Sequence, residues 1–299
     1  MKIITLTLSP AIDIEYHTQS VNTDGLNRTY SQTVTAGGKG INVSRIIENL
    51  LRRRIMLPVF VELKTVAPVG GETGRMFAGI LEKEYLPLTA VEIEENTRTN
   101  VSLIGDDGRE IEINAPGTPV GDKIGQVEEA LLGDLCENDV VIIAGSCPSD
   151  VPKSYPAELC AKVKAKGAVC VIDCDGEALK LAVSADVTPD LIKPNHKELS
   201  ALAGRELVSK QDIAQAAEEL NVPVVITTMA GDGSIITREV NEYRASTFVP
   251  TEKRRVVRLK GAGDTFLGAF VYAKYAAQMN DIEAMNFAGD IAGHYVAGE

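Results

Sequence analysis

Short apolar runs alternate with helical patterns along most of this chain. Polar side chains rarely interrupt these runs, as expected of strands buried on both faces of a parallel sheet. Between them, apolar side chains recur with the period of an amphipathic helix. Predicted strands cover 3–8, 65–71, 140–144, 169–172 and 224–227, and predicted helices cover 43–51, 73–84, 121–134, 154–166, 176–183, 196–203 and 210–220. The alternation predicts an α/β fold with a mostly parallel central sheet covered by helices on both faces.

Two segments depart from this alternation. Residues 14–35 and 89–113 have the pattern of short, weakly amphipathic strands, and Asp107-Gly108 is typical of a hairpin turn. We predict that they form one small β-sheet standing off the main body as a lid over the site, within a single domain covering 1–299. So small a sheet cannot bury two mixed apolar faces by itself, which predicts a homodimer through this lid.

Composition narrows the function classes. The chain has 299 residues and a formal net charge of −12, and its basic runs, such as Arg52-Arg53-Arg54, are too short to predict a nucleic-acid surface. The sequence shows neither a signal-peptide pattern nor an apolar run that could span a membrane. Five cysteines without CxxC spacing are typical of reduced thiols in the cytoplasm. Three histidines and no tryptophan favour carboxylate chemistry over a histidine-based nucleophile.

The stretch Lys260-Gly261-Ala262-Gly263-Asp264-Thr265 is the strongest candidate for chemistry. A strand-like segment, 255–259, precedes it, and a helical pattern follows over 266–274. A turn of small residues that opens a helix exposes backbone N–H groups at the positive end of the helix dipole, which suits a phosphoryl group. Asp264 stands where a carboxylate could take a proton from an attacking hydroxyl. The alternative is an ordinary glycine turn with a favourably placed acid.

A second glycine-rich stretch, Gly37-Gly38-Lys39-Gly40-Ile41-Asn42, also opens a helix. It lacks the spacing of a Walker P-loop and of a GxGxxG fingerprint. Lys39 and Asn42 could offer a cation and an amide to a sugar ligand, although Lys39 could equally be a surface lysine. Asp13 follows the first strand at its carboxyl end, where ligands bind in open parallel sheets, but turn chemistry would also explain it.

These motifs together resemble a known family. GGKGIN (37–42), TRTN (97–100), GSCP (145–148), KPNHKEL (193–199) and GAGD (261–264) occur in the order seen in the ribokinase-like, or PfkB, carbohydrate kinases. EIEINAPG (110–117) and VIDCDGEAL (171–179) are most similar to the 1-phosphofructokinases, with tagatose-6-phosphate kinases as close relatives. The resemblance covers nearly the whole chain. It implies the ribokinase-like three-layer sandwich.

The resemblance also implies a function and the residues that perform it. A kinase of this family transfers phosphate from ATP to a hydroxyl of a sugar or sugar phosphate. The similarity to the 1-phosphofructokinases implies that the reaction here converts fructose-1-phosphate to fructose-1,6-bisphosphate. Asp264 would be the base, and Gly261, Ala262 and Gly263 would bind the transferring phosphoryl. Sugar hydroxyls would be held by Asp13, Gly38 and Asn42, and the substrate's own phosphate by Arg28, Lys39 and Arg98. The two arginines would converge over the sugar.

On the nucleotide side, the resemblance assigns Mg²⁺ to Asn195 and Glu198, largely through water. The same two residues also match a helix capping box, and the two roles can coexist. ATP would contact the residues Lys193, Asn195, Thr228, Gly231 and Gly233.

Three departures from the family pattern bear on the substrate. Ser102 stands where phosphofructokinases have lysine, Ala230 replaces the first glycine of the nucleotide loop, and Arg258-Leu259-Lys260 replaces small and polar residues before GAGD. The alternatives are tagatose-6-phosphate or fructose-6-phosphate as substrate, an unphosphorylated sugar or nucleoside, and a catalytically weak sugar-phosphate sensor.

Overall fold

The computed structural model describes residues 1–53, 60–241 and 243–299. Its strands are β1 (Lys2–Leu6), β2 (Ala11–Thr18), β3 (Ser31–Gly37), β4 (Glu62–Gly70), β5 (Leu88–Ile93), β6 (Arg98–Gly105), β7 (Glu110–Ile113), β8 (Val140–Ala144), β9 (Val169–Asp173), β10 (Leu191–Ile192), β11 (Val224–Thr228), β12 (Ser234–Val240) and β13 (Tyr243–Val249). Its α-helices are α1 (Lys39–Arg52), α2 (Gly71–Lys83), α3 (Ile124–Leu132), α4 (Tyr155–Ala165), α5 (Gly176–Val183), α6 (His196–Ala203), α7 (Lys210–Glu218), α8 (Ala262–Val271) and α9 (Asp281–Ala297).

The main sheet has the strand order β13-β12-β11-β10-β9-β8-β1-β4-β5 across the described residues. The strands from β11 to β5 pair in parallel, and β12 and β13 add an antiparallel hairpin at one edge. The prediction of an α/β fold with a mostly parallel sheet is therefore confirmed.

Apolar side chains on both faces of the central strands explain this layering. Ile4 and Val141 belong to one core cluster and Ile3 and Ile142 to the other, so successive residues of β1 and β8 point to opposite sides. All four side chains are fully buried, and burying each contributes about 1.5–3 kcal/mol. The helices that cover the two faces complete the three layers.

A separate four-stranded sheet has the order β3-β2-β6-β7, with β2 and β6 parallel and both outer pairs antiparallel. Its strands come from the two segments that the sequence pattern singled out. The predicted small sheet is confirmed for these strands.

Three details of the prediction were wrong or missing. Residues 90–93 belong to β5, which pairs with β4 in the main sheet, because an edge strand is half-exposed and has the same mixed pattern as a strand of the small sheet. The segment 255–259 is not a strand; it runs along the end of α9, where the Val257 and Arg258 amides donate to the Val296 carbonyl. The hairpin of β12 and β13 was not predicted.

The strand order reverses between β1 and β8. The chain leaves β1 towards β4 on one side, and β8 continues to β9 on the other, which creates a crevice at the carboxyl ends of these two strands.

Arg52, the first residue of the basic run 52–54, ends α1, and Arg54 lies outside the described residues. Within the described ranges, no helix has the length and apolarity of a membrane span.

Candidate active site

A cleft of about 340 Å³ lies at this crevice, between the main sheet and the small sheet. Thr7 and Ser9 after β1 and Gly145 and Ser146 after β8 line it from the main body. The remaining lining residues come from the small sheet and its flanks, from α1, from the loop after β9 and from the start of α8: Ala11, Asp13, Gly38, Lys39, Asn42, Arg98, Asn100, Glu112, Asn114, Asp175, Lys260, Gly261 and Asp264. The topology of the main sheet therefore places polar groups from distant parts of the chain around one space.

Asp264 lies in the first turn of α8 and is only 9% exposed. Its carboxylate is held from the opposite helix, because Asn42 Nδ2 donates a hydrogen bond of 2.8 Å to Asp264 Oδ2. Asn42 is itself in the first turn of α1. Two helix N-termini thus converge on the carboxylate that is best placed to act as a base.

The pKa of Asp264 is raised from 3.8 to about 6. Burial is the largest cause, and the nearby negative charge of Asp173 adds to it. The hydrogen bond from Asn42 and the charges of Lys193 and Lys39 work in the opposite direction. A carboxyl with this pKa is ionised at neutral pH and is a stronger proton acceptor than an ordinary aspartate.

The turn before Asp264 is shaped by its small residues. Gly261 has φ 84°, and a Cβ on it would lie 2.6 Å from the hydroxyl of Tyr295 in α9. That hydroxyl donates a 2.9 Å hydrogen bond to the Lys260 carbonyl. The Ala262 amide donates to Leu259 O at 3.1 Å, whereas the Gly263 and Asp264 amides lie in the first helical turn, where backbone donors lack a partner in the helix. An anion would meet these last two amides.

The small sheet supplies the opposite wall. Asn100 Nδ2 donates to Asp13 Oδ1 at 2.8 Å, and the Ala115 amide donates to Asn100 Oδ1 at 3.2 Å, so both side chains are fixed. Gly38 has φ 132°, and a Cβ there would lie 2.6 Å from the Thr7 side chain, so only glycine lets the start of α1 approach β1 this closely. Asp13 and Asn100 line the cleft, and their carboxylate and amide groups suit hydroxyl groups of a ligand.

Arg98 begins β6 and lies partly buried in the same cleft. Its Nη1 donates to Ala115 O at 2.9 Å and its Nη2 to Ser9 O at 3.0 Å, while its Nε is buried without a partner among the described residues. Burial lowers the pKa of this guanidinium, although the charge of Asp13 opposes the shift. Arg98 therefore joins the two sheets by hydrogen bonds to two carbonyls.

Lys39 sits among acids at the start of α1. Burial tends to lower the pKa of its ammonium, but the combined charges of Asp173, Glu198, Asp175 and Asp264 outweigh burial and raise the pKa above 10.5. Lys39 is thus a charged group directed towards the carboxylates between the cleft and the ends of β9 and β10.

The predicted nucleotide residues lie beside this acid cluster. Lys193, which follows β10, is buried with its Nζ 3.5 Å from Asp173 Oδ1, and a Cβ on Gly263 would lie 3.3 Å from that Nζ. The segment at Asn195 pairs with Thr228 at the end of β11 through a parallel bridge. These contacts bring the loop after β10 and the loop after β11 to the Gly261–Gly263 turn.

Asn195 and Glu198 form the capping box that the sequence allowed. Asn195 Oδ1 accepts from the Glu198 amide at 3.0 Å, and Glu198 Oε2 accepts from the Asn195 amide at 2.7 Å. The second carboxylate oxygen, Glu198 Oε1, takes no part in the cap. The predicted capping box is therefore confirmed, and Glu198 Oε1 remains outside it.

Residues 6–297 match the family model of the pfkB family carbohydrate kinases. The chain belongs to this family. A 1-phosphofructokinase from Bacillus subtilis is 34% identical over 90% of this kinase and 84% of the relative, and the ATP-dependent 6-phosphofructokinase isozyme 2 of Escherichia coli is 30% identical over the same shares. The structure of phosphofructokinase-2 from Escherichia coli in complex with substrates and products has a TM-score of 0.89, with 28% identity, 99% of this chain covered and 94% of that chain. The predicted carbohydrate kinase, an ATP-using enzyme, is confirmed.

The structure brings most of the predicted site residues of this kinase together. The cleft contains Asp13, Gly38, Lys39, Asn42, Arg98, Gly261 and Asp264. Among the predicted substrate-binding residues Arg28 is the exception: it is exposed in the loop between β2 and β3, where its carbonyl accepts from Thr18 Oγ1 at 3.0 Å, and it does not line the cleft. The predicted convergence of Arg28 with Arg98 within one chain is therefore wrong, because the loop carries Arg28 away from the inner face of the small sheet.

Asp173 is a site residue that the sequence analysis did not assign. It ends β9, is almost fully buried, and its Oδ2 has no hydrogen-bond partner among the described residues. It also contributes to the raised pKa of Asp264. An acid at the carboxyl end of a buried apolar strand was the available signal, and it was the same signal that singled out Asp13.

The departures from the family pattern have clear positions. Ser102 is buried in β6 and does not line the cleft. Ala230 adopts a left-handed backbone conformation with φ 50°, so the turn after β11 keeps a glycine-like backbone without a glycine. Lys260 lines the cleft, whereas the Arg258 guanidinium stacks on the Tyr295 ring at 4.0 Å.

Proposed function

We propose that this chain is an ATP-dependent sugar-phosphate kinase that converts fructose 1-phosphate to fructose 1,6-bisphosphate. The observation that carries the proposal is the placement of Asp264, a buried carboxylate with a pKa of about 6 at an anion-binding helix start, opposite Asp13 and Asn100. The names of the relatives, 1-phosphofructokinase and 6-phosphofructokinase, support a phosphorylated fructose as the acceptor.

In the proposed reaction, Asp264 accepts the proton of a sugar hydroxyl while the hydroxyl oxygen bonds to the γ-phosphorus of ATP. The bond from that phosphorus to its bridging oxygen breaks, and ADP leaves. The Gly261–Gly263 turn, through the amides of Gly263 and Asp264, and the ammonium of Lys193 stabilise the transferring charge. Asp13, Gly38 and Asn42 orient the sugar. Lys193, Asn195, Thr228, Gly231 and Gly233 are the proposed nucleotide contacts.

Residues on the nucleotide side of the site fit Mg²⁺ as the cofactor. Among the described residues, no group of three or more acidic, histidine or cysteine side chains forms a metal cage, but Mg²⁺ bound with nucleotide needs only one or two carboxylates and keeps several waters. Asp173 Oδ2 is buried and has no hydrogen-bond partner in the part of the chain that the structure describes, so this oxygen is available as a metal ligand. Asn195, Glu198 and Asp173 would hold the hydrated ion, which when bound offsets phosphate charge.

The small sheet is the proposed lid of a single kinase domain spanning 1–299. Both sheets contribute side chains to one cleft, which supports this organisation. A cytoplasmic location also remains part of the proposal, because the five cysteines are free thiols and four of them are buried.

The proposed function is tested by measuring ATP consumption with a panel of acceptors. We expect turnover with fructose 1-phosphate that exceeds turnover with fructose 6-phosphate, tagatose 6-phosphate, free fructose, ribose and a nucleoside. Preference for another sugar phosphate would move the assignment within the sugar-phosphate kinases. Preference for an unphosphorylated acceptor would contradict it, and tight sugar-phosphate binding without turnover would identify a sensor.

We expect Arg98→Ala to raise the KM for the sugar phosphate about tenfold to a hundredfold, the effect of losing a charged hydrogen bond of about 1.5–3 kcal/mol. The KM for ATP should change little, because Arg98 lies on the small-sheet side of the cleft. Arg109→Ala is the matched control, since Arg109 pairs with Asp107 on the exposed turn of the same sheet. An unchanged KM for the sugar phosphate would remove Arg98 from the phosphate site.

We also propose that the small sheet forms a homodimer through its outer face. Asp13, Asn100 and Glu112 line the cleft, whereas the alternating residues Tyr16, Val101, Leu103, Ile111 and Ile113 line a groove on the other side. Ile113 is 63% exposed. A second copy of the chain would cover this apolar face.

Ile113→Asp should convert the dimer to a monomer, because it places a charge in the apolar interface without altering the folded core. Light scattering at micromolar concentration gives the result. Val208→Asp is the control, since Val208 is an exposed apolar residue just before α7, outside the small sheet. A wild type that is monomeric in the same measurement would contradict the proposed interface.

A further inference from the structure

An ion pair spans the mouth of the cleft. Lys260 precedes the proposed catalytic turn, Gly261–Gly263, and Glu112 lies on β7 of the small sheet. Lys260 Nζ is 3.7 Å from Glu112 Oε1. Both residues line the cleft, and their side chains are 52% and 45% exposed. This pair connects the turn that carries Asp264 with the sheet that carries Asp13.

The backbone of Lys260 is fixed, whereas its ammonium is loosely held. The Tyr295 hydroxyl binds the Lys260 carbonyl, and the preceding segment is hydrogen-bonded to Val296 at the end of α9. Glu112 is the only ion-pair partner of Lys260 among the described residues, and a separation of 3.7 Å exceeds that of a charged hydrogen bond. Half-exposed pairs of this kind contribute little to stability.

The other cations around the cleft are already engaged. Arg98 donates to two backbone carbonyls, Lys193 faces Asp173, and Lys39 is surrounded by acids. A phosphate entering this cleft also meets the negative charges of Asp13 and Asp264. Lys260 is the lining cation whose partner can most easily be exchanged for a phosphate oxygen.

We infer that Lys260 is a phosphate-binding residue of the catalytic turn and that Glu112 occupies its ammonium until a substrate phosphate replaces it. The inference rests on the proposed kinase function and adds a specificity-determining residue to it. The ligand is a phosphate dianion, either that of the sugar or that of the nucleotide. When the phosphate binds, Lys260 exchanges one anionic oxygen for another, and Glu112 is released to solvent.

This exchange predicts effects of opposite sign for the two partners. Lys260→Met removes the cation and should weaken binding of the phosphate ligand about tenfold, the low end expected of a charged hydrogen bond. Glu112→Gln removes the competitor and should strengthen binding up to about threefold, in proportion to a weak surface pair. An ion pair that only holds the lid in place would produce changes of the same sign in both variants.

Calorimetric titration of each variant with fructose 1-phosphate and, separately, with ATP measures the binding without turnover. A change confined to fructose 1-phosphate assigns Lys260 to the sugar phosphate, and a change confined to ATP assigns it to the nucleotide. Lys162→Met and Glu128→Gln, which break a 2.7 Å pair between α3 and α4, are the controls and should change neither dissociation constant. Higher salt should reduce the difference in dissociation constant between the wild type and Lys260→Met.

Two outcomes would overturn the inference: dissociation constants for both ligands that remain within about twofold in Lys260→Met, or weaker binding in Glu112→Gln. The panel of acceptors separates this result from the proposed function. If the wild type phosphorylates no sugar phosphate while Lys260→Met weakens ATP binding, the substrate proposal fails and the role of Lys260 stands.

Discussion

Asp264→Asn is expected to reduce kcat by about 10²–10⁴ while largely preserving the binding of ATP and of the sugar phosphate. The amide keeps the shape of the carboxylate and can still accept the hydrogen bond from Asn42, but it cannot take a proton from the acceptor hydroxyl. Steady-state rates combined with equilibrium titrations separate the two effects. A kcat close to that of the wild type would show that Asp264 is not the base.

The same substitution should stabilise the folded protein at neutral pH. Because the pKa of Asp264 is about 6 in the folded state and 3.8 in its ordinary range, the native state binds the proton more tightly than the unfolded state. Stability from this group is therefore present at low pH and is lost as pH rises through about 6, by about 3 kcal/mol. Asparagine does not ionise, so the variant escapes this loss.

Chemical denaturation at two pH values checks this expectation. The free energy of unfolding of Asp264→Asn should exceed that of the wild type at pH 7.5 or so, and the difference should vanish near about pH 4. Asp122→Asn is the control, because Asp122 is exposed near the start of α3. A lower stability of Asp264→Asn at both pH values would show that burial does not penalise this carboxylate. The expected result, a more stable Asp264→Asn variant at neutral pH, would show that the ionised Asp264 needed for catalysis lowers the stability of the fold.

Gly261→Ala is the second substitution with a large expected effect, a loss of about 10²–10³ in kcat. An alanine at φ 84° costs about 1–2 kcal/mol, and its Cβ would lie 2.6 Å from the Tyr295 hydroxyl. The turn must shift to relieve this contact, which displaces the amides proposed to bind the transferring phosphoryl. Both kcat and the melting temperature should decrease.

Two further variants test the cause. Gly289→Ala in α9 is the matched control, since its Cβ would have no neighbour within 4 Å and alanine favours a helix by about 1 kcal/mol. Adding Tyr295→Phe to Gly261→Ala removes the hydroxyl and should restore part of the activity, although the backbone strain persists. Wild-type kcat in Gly261→Ala would show that the turn does not bind the phosphoryl.

Local patterns were sufficient wherever the decisive interactions are local. The apolar runs at 140–144 and 224–227 were correctly predicted as strands of a covered sheet, and the small residues of 261–263 as the start of a helix. The capping box of Asn195 and Glu198 likewise depends on residues three positions apart. For the same reason, the motifs of the carbohydrate kinases were readable in order along the chain.

Tertiary structure alone decided which elements meet. Residues 90–93 have the pattern of an edge strand, and only pairing with β4 assigns them to the main sheet. The path of the loop after β2 decides that Arg28 leaves the cleft, and the approach of β7 to the catalytic turn creates the Lys260–Glu112 pair. Asp173, at the end of β9, acts through space on Asp264, which lies in α8. Such relations depend on distances between residues far apart in sequence, which amino-acid periodicity does not encode.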